Sequence, residues 1–240
     1  MNTKILKLIT AIIAVLFATV LITAQEVKTM YVMKQGVIDY QSAISDVDSI
    51  IFYDPTPTPI PEDGVLINGV VWAKYNVDAP GAFATNPESF GMYYQWNRDV
   101  AWPSSGYVED WDGTRPEGDA WEETNDPSPE GWRVPTRDDI QKLADTDKVT
   151  QTWVTENGIK CRKYTDKDAP DNFILLPAAG YRYYSLGAIF YQNQYGYYWS
   201  SETDNDLSIT AYGMDFDNAS TYWEFDYNRI YGFSIRCVAK

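Results

Sequence analysis

The chain has 240 residues, with 34 acidic side chains against 19 basic ones and no histidine. Its formal charge of −15 repels phosphate backbones and sets nucleic acid aside as a partner, while the missing imidazole excludes a Ser-His-Asp triad, a Cys-His dyad and any His-ligated zinc or iron site. The aromatics lean to 19 Tyr and 9 Trp against 9 Phe, rings with an apolar face and a polar handle that suit half-buried sheet surfaces and contacts with sugars or proteins.

Lys4 and Lys7 precede a mostly apolar, charge-free stretch from Leu8 to Ile22, and Thr23-Ala24 gives way to the polar Gln25-Glu26. Basic, apolar, small, then polar is the order of a cleavable export signal, here residues 1–24. A retained anchor is the competing reading, but the run is short of the about 20 apolar residues that cross a bilayer. No cysteine lies near the cut, which disfavours a lipid anchor. The expected mature protein is exported to the cell surface, the periplasm or the medium, and has no transmembrane span. Its charge is about −17 once both lysines leave.

Residues 25–54 read as a small β unit. Met30 to Met33 and Val37 to Tyr40 are β-prone runs around Gln35-Gly36, a hairpin pattern. Ser45-Asp46-Val47-Asp48 resembles a capping box for one helical turn, and Ser49 to Tyr53 reads as a further strand. About thirty residues bury little core by themselves. Residues 55–63 form a linker whose alternating prolines favour an extended, semi-rigid conformation.

The main domain is expected over 64–240. Val65 to Ile67 and Val70 to Ala73 flank Asn68-Gly69, a two-residue hairpin signal. Asn86-Pro87 starts a short turn or helix, and Gly91 to Trp96 reads as a strand. Residues 97–130 are rich in Trp, Pro, Gly and acids and read as long loops. Thr136-Arg137-Asp138-Asp139 is a capping box, and Ile140, Leu143 and Ala144 follow at helical spacing, which predicts a helix over 136–145. Phe173 to Leu176 reads as a buried strand ending at Pro177. Gly196 to Ser200, Ile209 to Phe216, Thr221 to Phe225 and Phe233 to Val238 supply more short strands.

Cys161 and Cys237 are the two cysteines. In an exported chain an even count points to one disulfide, worth roughly 4 kcal/mol on the chain-entropy view. Two buried free thiols are the alternative.

Six segments in order carry a resemblance: Val65-Leu66-Ile67-Asn68-Gly69-Val70-Val71-Trp72-Ala73, Gly91-Met92-Tyr93-Tyr94-Gln95-Trp96-Asn97, Gly131-Trp132-Arg133-Val134-Pro135-Thr136, Leu175-Leu176-Pro177-Ala178-Ala179-Gly180-Tyr181-Arg182, Gly196-Tyr197-Tyr198-Trp199-Ser200-Ser201 and Tyr231-Gly232-Phe233-Ser234-Ile235-Arg236-Cys237-Val238. Together they resemble the Fibrobacter succinogenes major paralogous domain family of exported Bacteroidetes-type proteins. Residues 25–54 resemble, more weakly, a short N-terminal segment of Bacteroides surface proteins. The family is distantly similar to the formylglycine-generating (sulfatase-modifying factor) fold and to C-type lectins. The resemblance implies an α+β domain with a twisted antiparallel sheet, few helices and long ligand-capable loops. In such a domain Trp132 and Trp199 serve as core anchors, and Arg133, Arg182 and Arg236 make charge-assisted bonds to loop carboxylates or carbonyls.

The expected function is non-catalytic recognition. The oxidase chemistry of the sulfatase-modifying fold needs a reactive cysteine pair, whereas Cys237 resembles a structural position and Cys161 lies far upstream. Glycan binding is the sharpest form, because aromatic faces stack on sugar rings while carboxylates and amides bond hydroxyls. Tyr181, Tyr183, Tyr184, Tyr191, Tyr195, Tyr197 and Tyr198 crowd one region. Tyr183, Tyr184, Tyr191, Tyr195 and Trp199 are the candidate rings, and Glu202, Asp204 and Asp206 the candidate acids. Core and cross-strand packing competes for every one of these tyrosines. Glu202, Asp204, Asn205 and Asp206, or Asp215, Asp217 and Asn218, offer oxygens to calcium, although neither copies a known calcium loop and solvated acidic turns compete. Other readings are a surface protein as partner, a structural or tip-like accessory subunit joined by strand addition, and a carboxylate-pair hydrolase whose acids no motif selects.

Overall fold

The computed structural model describes residues 29–34, 37–43, 59–203 and 209–240, the first two spans as backbone only. The export segment, the helical turn at 45–48, the strand at 49–53, and Asp204, Asn205 and Asp206 lie outside the described residues. The chain divides into two units, Met1–Thr58 and Pro59–Lys240.

In the first unit β1 (Thr29–Lys34) and β2 (Val37–Ala43) pair antiparallel, with a register irregularity between Val32 and Met33. Both expected strands form, and both run a little longer than the β-prone residues alone marked out.

The second unit is made mostly of antiparallel sheets with one α-helix among the described residues. β3 (Gly64–Ile67) and β4 (Val70–Ala73) form the expected hairpin. Asn68 and Gly69 take φ of 44° and 77°, the positive values a two-residue turn needs to match strand twist. β14 (Val238–Ala239) pairs on one side with β4 and on the other with β5 (Trp132–Arg133), so it joins the first hairpin of this unit to β5 in one sheet.

The helix α1 (Arg137–Ala144) follows β5. Thr136 accepts from the Asp139 main-chain N–H at 3.2 Å, and Asp139 Oδ2 accepts from the Thr136 N–H at 2.9 Å, the reciprocal box anticipated. Its buried Ile140 and Leu143 join Trp72, Tyr164, Leu176, Tyr198, Phe216 and Val238 in the largest core cluster.

β6 (Val149–Glu156), β7 (Ile159–Asp166) and β8 (Phe173–Pro177) make a second sheet. Sequence reading placed β8 correctly but passed over the β6–β7 hairpin. Its turn, Asn157-Gly158, has φ of 48° and 85° and is the same signal as Asn68-Gly69, here flanked by strands of mixed polarity. β9 (Tyr181–Arg182) and β10 (Ile189–Phe190) form a short ribbon. β11 (Gly196–Thr203), β12 (Thr210–Phe216) and β13 (Thr221–Asn228) form a third sheet.

β11 shows how this sheet is used. Its side chains alternate between faces: Tyr198 enters the largest core, whereas Trp199 packs with Trp96, Ala211 and Phe233 in another. Tyr197 lies against that second cluster from outside. Two expected strands are corrected. Residues 91–96 hold only isolated bridges, Tyr93 to Trp102 and Tyr94 to Phe233, and in 233–238 only Val238 belongs to a strand. Both segments are buried and thread between sheets, where their main-chain groups bond irregular partners rather than a ladder.

Candidate functional site

The structure brings most of the tyrosine-rich region into one aromatic platform at the β9–β10 ribbon and the outer side of β11. Tyr181 is its hub, with ring centroids 4.9 Å from Tyr197, 5.3 Å from Tyr231, 5.8 Å from Tyr191 and 6.0 Å from Phe190. Tyr183 and Tyr184 contact each other at 4.3 Å and reach the hub through Tyr231, at 5.7 and 5.5 Å. Tyr195 joins through Tyr191 at 5.4 Å. Most pairs are tilted or edge-to-face, the geometry the ring quadrupole favours. Tyr184, Phe190 and Tyr191 keep 38%, 43% and 45% of their surface exposed, and Tyr181, Tyr183, Tyr195 and Tyr231 are half-buried.

Four of the five candidate rings, Tyr183, Tyr184, Tyr191 and Tyr195, therefore stand together. Trp199 is corrected: it is fully buried, stacks on Phe233 at 4.2 Å and donates its indole N–H to the Tyr94 carbonyl at 2.8 Å. It holds the platform from below, as a core anchor. Tyr198 faces the other core. Phe190 and Tyr231 were missed. Phe190 carried no tyrosine signal, and Tyr231 lies in a distant turn brought to Tyr181 by the Arg182–Gly232 bridge.

The backbone beneath the platform is held from several directions. Residues 190–192 cross directly over Gly180: a Cβ there would sit 2.0 Å from the Phe190 carbonyl oxygen. The crossing places Tyr191 at φ 59°, a left-handed value unusual for a bulky residue and a form of strain concentrated at functional sites. Gln192 Nε2 donates to the Ser104 carbonyl at 2.7 Å and to the Tyr93 hydroxyl at 3.0 Å, and the Asn193 N–H donates to the Ala178 carbonyl at 2.7 Å. The buried Arg182 donates to the carbonyls of Pro103, Ser105, Gly106 and Gly187, which ties the 103–106 loop to the tip of the ribbon. Trp111 donates to the Tyr184 carbonyl at 2.9 Å.

Among the described residues no cation lies over a ring of the platform. The guanidinium of Arg182 is turned inward to carbonyls. That of Arg229 donates to the Thr210 and Gly118 carbonyls, 2.9 and 2.8 Å away, and lies over Trp96. Lys160 reaches this region through its main chain, whose N–H donates to Asn193 Oδ1 at 2.9 Å, while its ammonium bonds Thr155 Oγ1. The aromatic faces that do carry a cation are Tyr212, Trp223, Phe173, Tyr93 and Trp96, none of them in the platform. Burial pushes the hydroxyls of Tyr181, Tyr197 and Tyr231 above their ordinary range, so they stay neutral. At its rim Asp215 accepts from the Tyr227 hydroxyl at 2.8 Å, and burial raises its carboxyl above the ordinary carboxylate value.

The remaining candidates go elsewhere. Glu202 accepts from the Arg137 N–H at 2.8 Å and so serves the first turn of α1. Asp217 Oδ1 accepts from the N–H groups of Ala219 and Ser220, an acidic turn satisfied by its own backbone. No group of three or more His, Cys, Asp or Glu able to hold a metal occurs among the described residues. The expected disulfide is also corrected. Cys161 and Cys237 are free and buried, because Cys161 lies on β7 opposite Pro177, whereas Cys237 packs with Trp132 and Ile235 and directs its thiol to Ser128 Oγ at 3.0 Å. Of the three motif arginines, Arg133 finds a carboxylate, Asp139, at 2.8 Å; Arg182 and Arg236 are caged chiefly by carbonyls. A separate open pocket of about 470 Å³ lies between α1 and Trp223, lined by Asp138, Gln141, Lys142 and Asp145 among others.

A family model described as a domain of unknown function (DUF8237) matches residues 146–238, a span that begins just after α1 and holds every ring of the platform. No curated protein matches the chain, and no solved structure does.

Proposed function

We propose that this chain is an exported bacterial surface protein whose Pro59–Lys240 unit is a non-catalytic recognition domain, and that the tyrosine platform is its glycan-binding face. The observation that carries the reading is the platform itself: exposed and half-exposed rings on a backbone fastened from several sides. Such rings take the apolar faces of sugars by stacking, while neighbouring hydroxyls and amides bond sugar hydroxyls. A rigid surface loses little conformational freedom on binding. The ordered motifs of the main domain and the N-terminal export pattern support placement in the exported major paralogous family. The composition supports a non-catalytic role, since the chain has no histidine and burial pushes both thiols up to about 12. Among the described residues no helix is long and apolar enough to cross a membrane.

A glycan array probed with and without a calcium chelator tests the reading. Binding is expected in both conditions. Tyr191→Ala removes an exposed ring and is expected to weaken binding about fivefold to tenfold with little change in melting temperature. Failure to bind any glycan would sink the proposal. A second reading, an accessory subunit of a surface assembly, draws on the β1–β2 hairpin, two-stranded among the described residues, since strand addition to such a ribbon is a way of joining a partner chain. Co-purification from the native envelope separates the two, since a lone monomer there counts against assembly.

A further inference from the structure

Resting on that reading, we infer that the platform selects uncharged glycan chains of several sugar rings, gripped along their flank, rather than single sugars or acidic polysaccharides. Two observations carry this, one of extent and one of charge. Tyr184 and Tyr191 are both exposed, but they do not touch; they are linked through Tyr231 and Tyr181 at successive centroid spacings of 5.5, 5.3 and 5.8 Å. A pyranose ring is about the size of one phenol ring, so a sugar stacked on Tyr184 leaves Tyr191, which makes no direct ring contact with it, for a further sugar. Tyr184, Phe190 and Tyr191 present exposed ring surface, and none of the platform rings lines the pocket beside α1. Such a face is suited to a chain lying across it, with no need for a chain end.

Charge selects within that class. An aromatic face is the negative part of the ring quadrupole; it attracts cations and the positively polarised C–H bonds of a sugar, and repels anions. Among the described residues no cation sits on a platform ring to reverse this, and Arg182 and Arg229 spend their donors on buried carbonyls. Asp215 at the rim and the net charge of −15 add to the repulsion of uronic acids and sulfate esters.

The test uses the full-length chain and titration calorimetry with neutral gluco- and manno-oligosaccharides of one, two, four and six rings, with polygalacturonate oligomers of matched length as the acidic probe. Affinity is expected to rise by about tenfold or more between one ring and four. Tyr184→Ala and Tyr191→Ala are each expected to weaken the four-ring ligand, while their melting temperatures stay at wild type. The acidic oligomers are expected to bind at least about tenfold more weakly, with the gap narrowing as salt is added. Equal or tighter binding of polygalacturonate, or no gain beyond one ring, with Tyr191 still required, would overturn this inference and leave glycan binding standing. Absence of binding to every saccharide would overturn both. Self-association of the chain that is lost in the same two variants would mark a protein-binding face and also overturn the inference.

Discussion

Asp215 and the two thiols show how little a residue's type says before its surroundings are known. Asp215 sits between Tyr197 and Tyr222 in register and holds the Tyr227 hydroxyl, and burial raises its carboxyl. In the folded chain it therefore keeps its proton to higher pH than in the unfolded chain. Its charged form costs stability above that window, and the cost disappears as pH falls through it. Asp215→Asn keeps an acceptor for Tyr227 without the charge. The variant is expected to gain stability at neutral pH, with the gain fading as the pH falls through the raised range of the carboxyl in urea titrations; destabilisation at neutral pH would contradict this. Cys161 and Cys237 provide a second check. Both thiols are buried and pushed up to about 12, so neither is expected to react with a thiol reagent at pH 8 until denaturant is added, when both titrate. Reductant is expected to leave the melting temperature unchanged. Loss of two titratable thiols in denaturant would instead show a bridge.

At the level of elements, local chemistry was legible where one physical signal acted within a few residues. The α1 capping box, the Asn68-Gly69 hairpin and the buried β8 run formed where periodicity and turn chemistry placed them. Thr136→Ala removes one half of the box and is expected to cost about 1–2 kcal/mol, measured by chemical denaturation. Strand and loop signals were weaker. The β6–β7 hairpin was hidden because its strands do not alternate cleanly between polar and apolar: Arg162 is buried next to Cys161 on β7, and Gln151 is half-buried on β6. Residues 91–96 are rich enough in aromatics to read as a strand but are buried and bonded to Trp102 and Phe233 one residue at a time. No pattern within the segment shows that its pairing partners would be loops.

Across the Pro59–Lys240 unit, closure depends on the last strand. Val238 is buried in the largest core and pairs with Trp72 and Arg133, while Arg236 donates to Asn76 and to the carbonyls of Ala73, Lys74 and Leu175. These contacts pin the C-terminal run to the first hairpin. Deleting Val238–Lys240 is expected to cost more than about 3 kcal/mol through lost burial and ladder bonds, seen as a large drop in urea midpoint. Lys240→Ala, which removes only a surface ion pair with Glu123, is expected to stay near the wild-type midpoint. Similar midpoints for both variants would refute the closing role of β14. The absence of histidine, the capped helix, two hairpins and the crowding of tyrosines into one region were legible in the sequence, because composition, capping and turn preference act locally. Tertiary structure alone decided that Trp199 goes inside while Tyr184 and Tyr191 stay out, that Tyr231 completes the platform, that the cysteines remain apart and that Arg182 and Arg229 turn away from the rings. Each of those outcomes depends on which distant segment covers a face, and side-chain alternation along a strand sets the two faces without saying which of them will be buried.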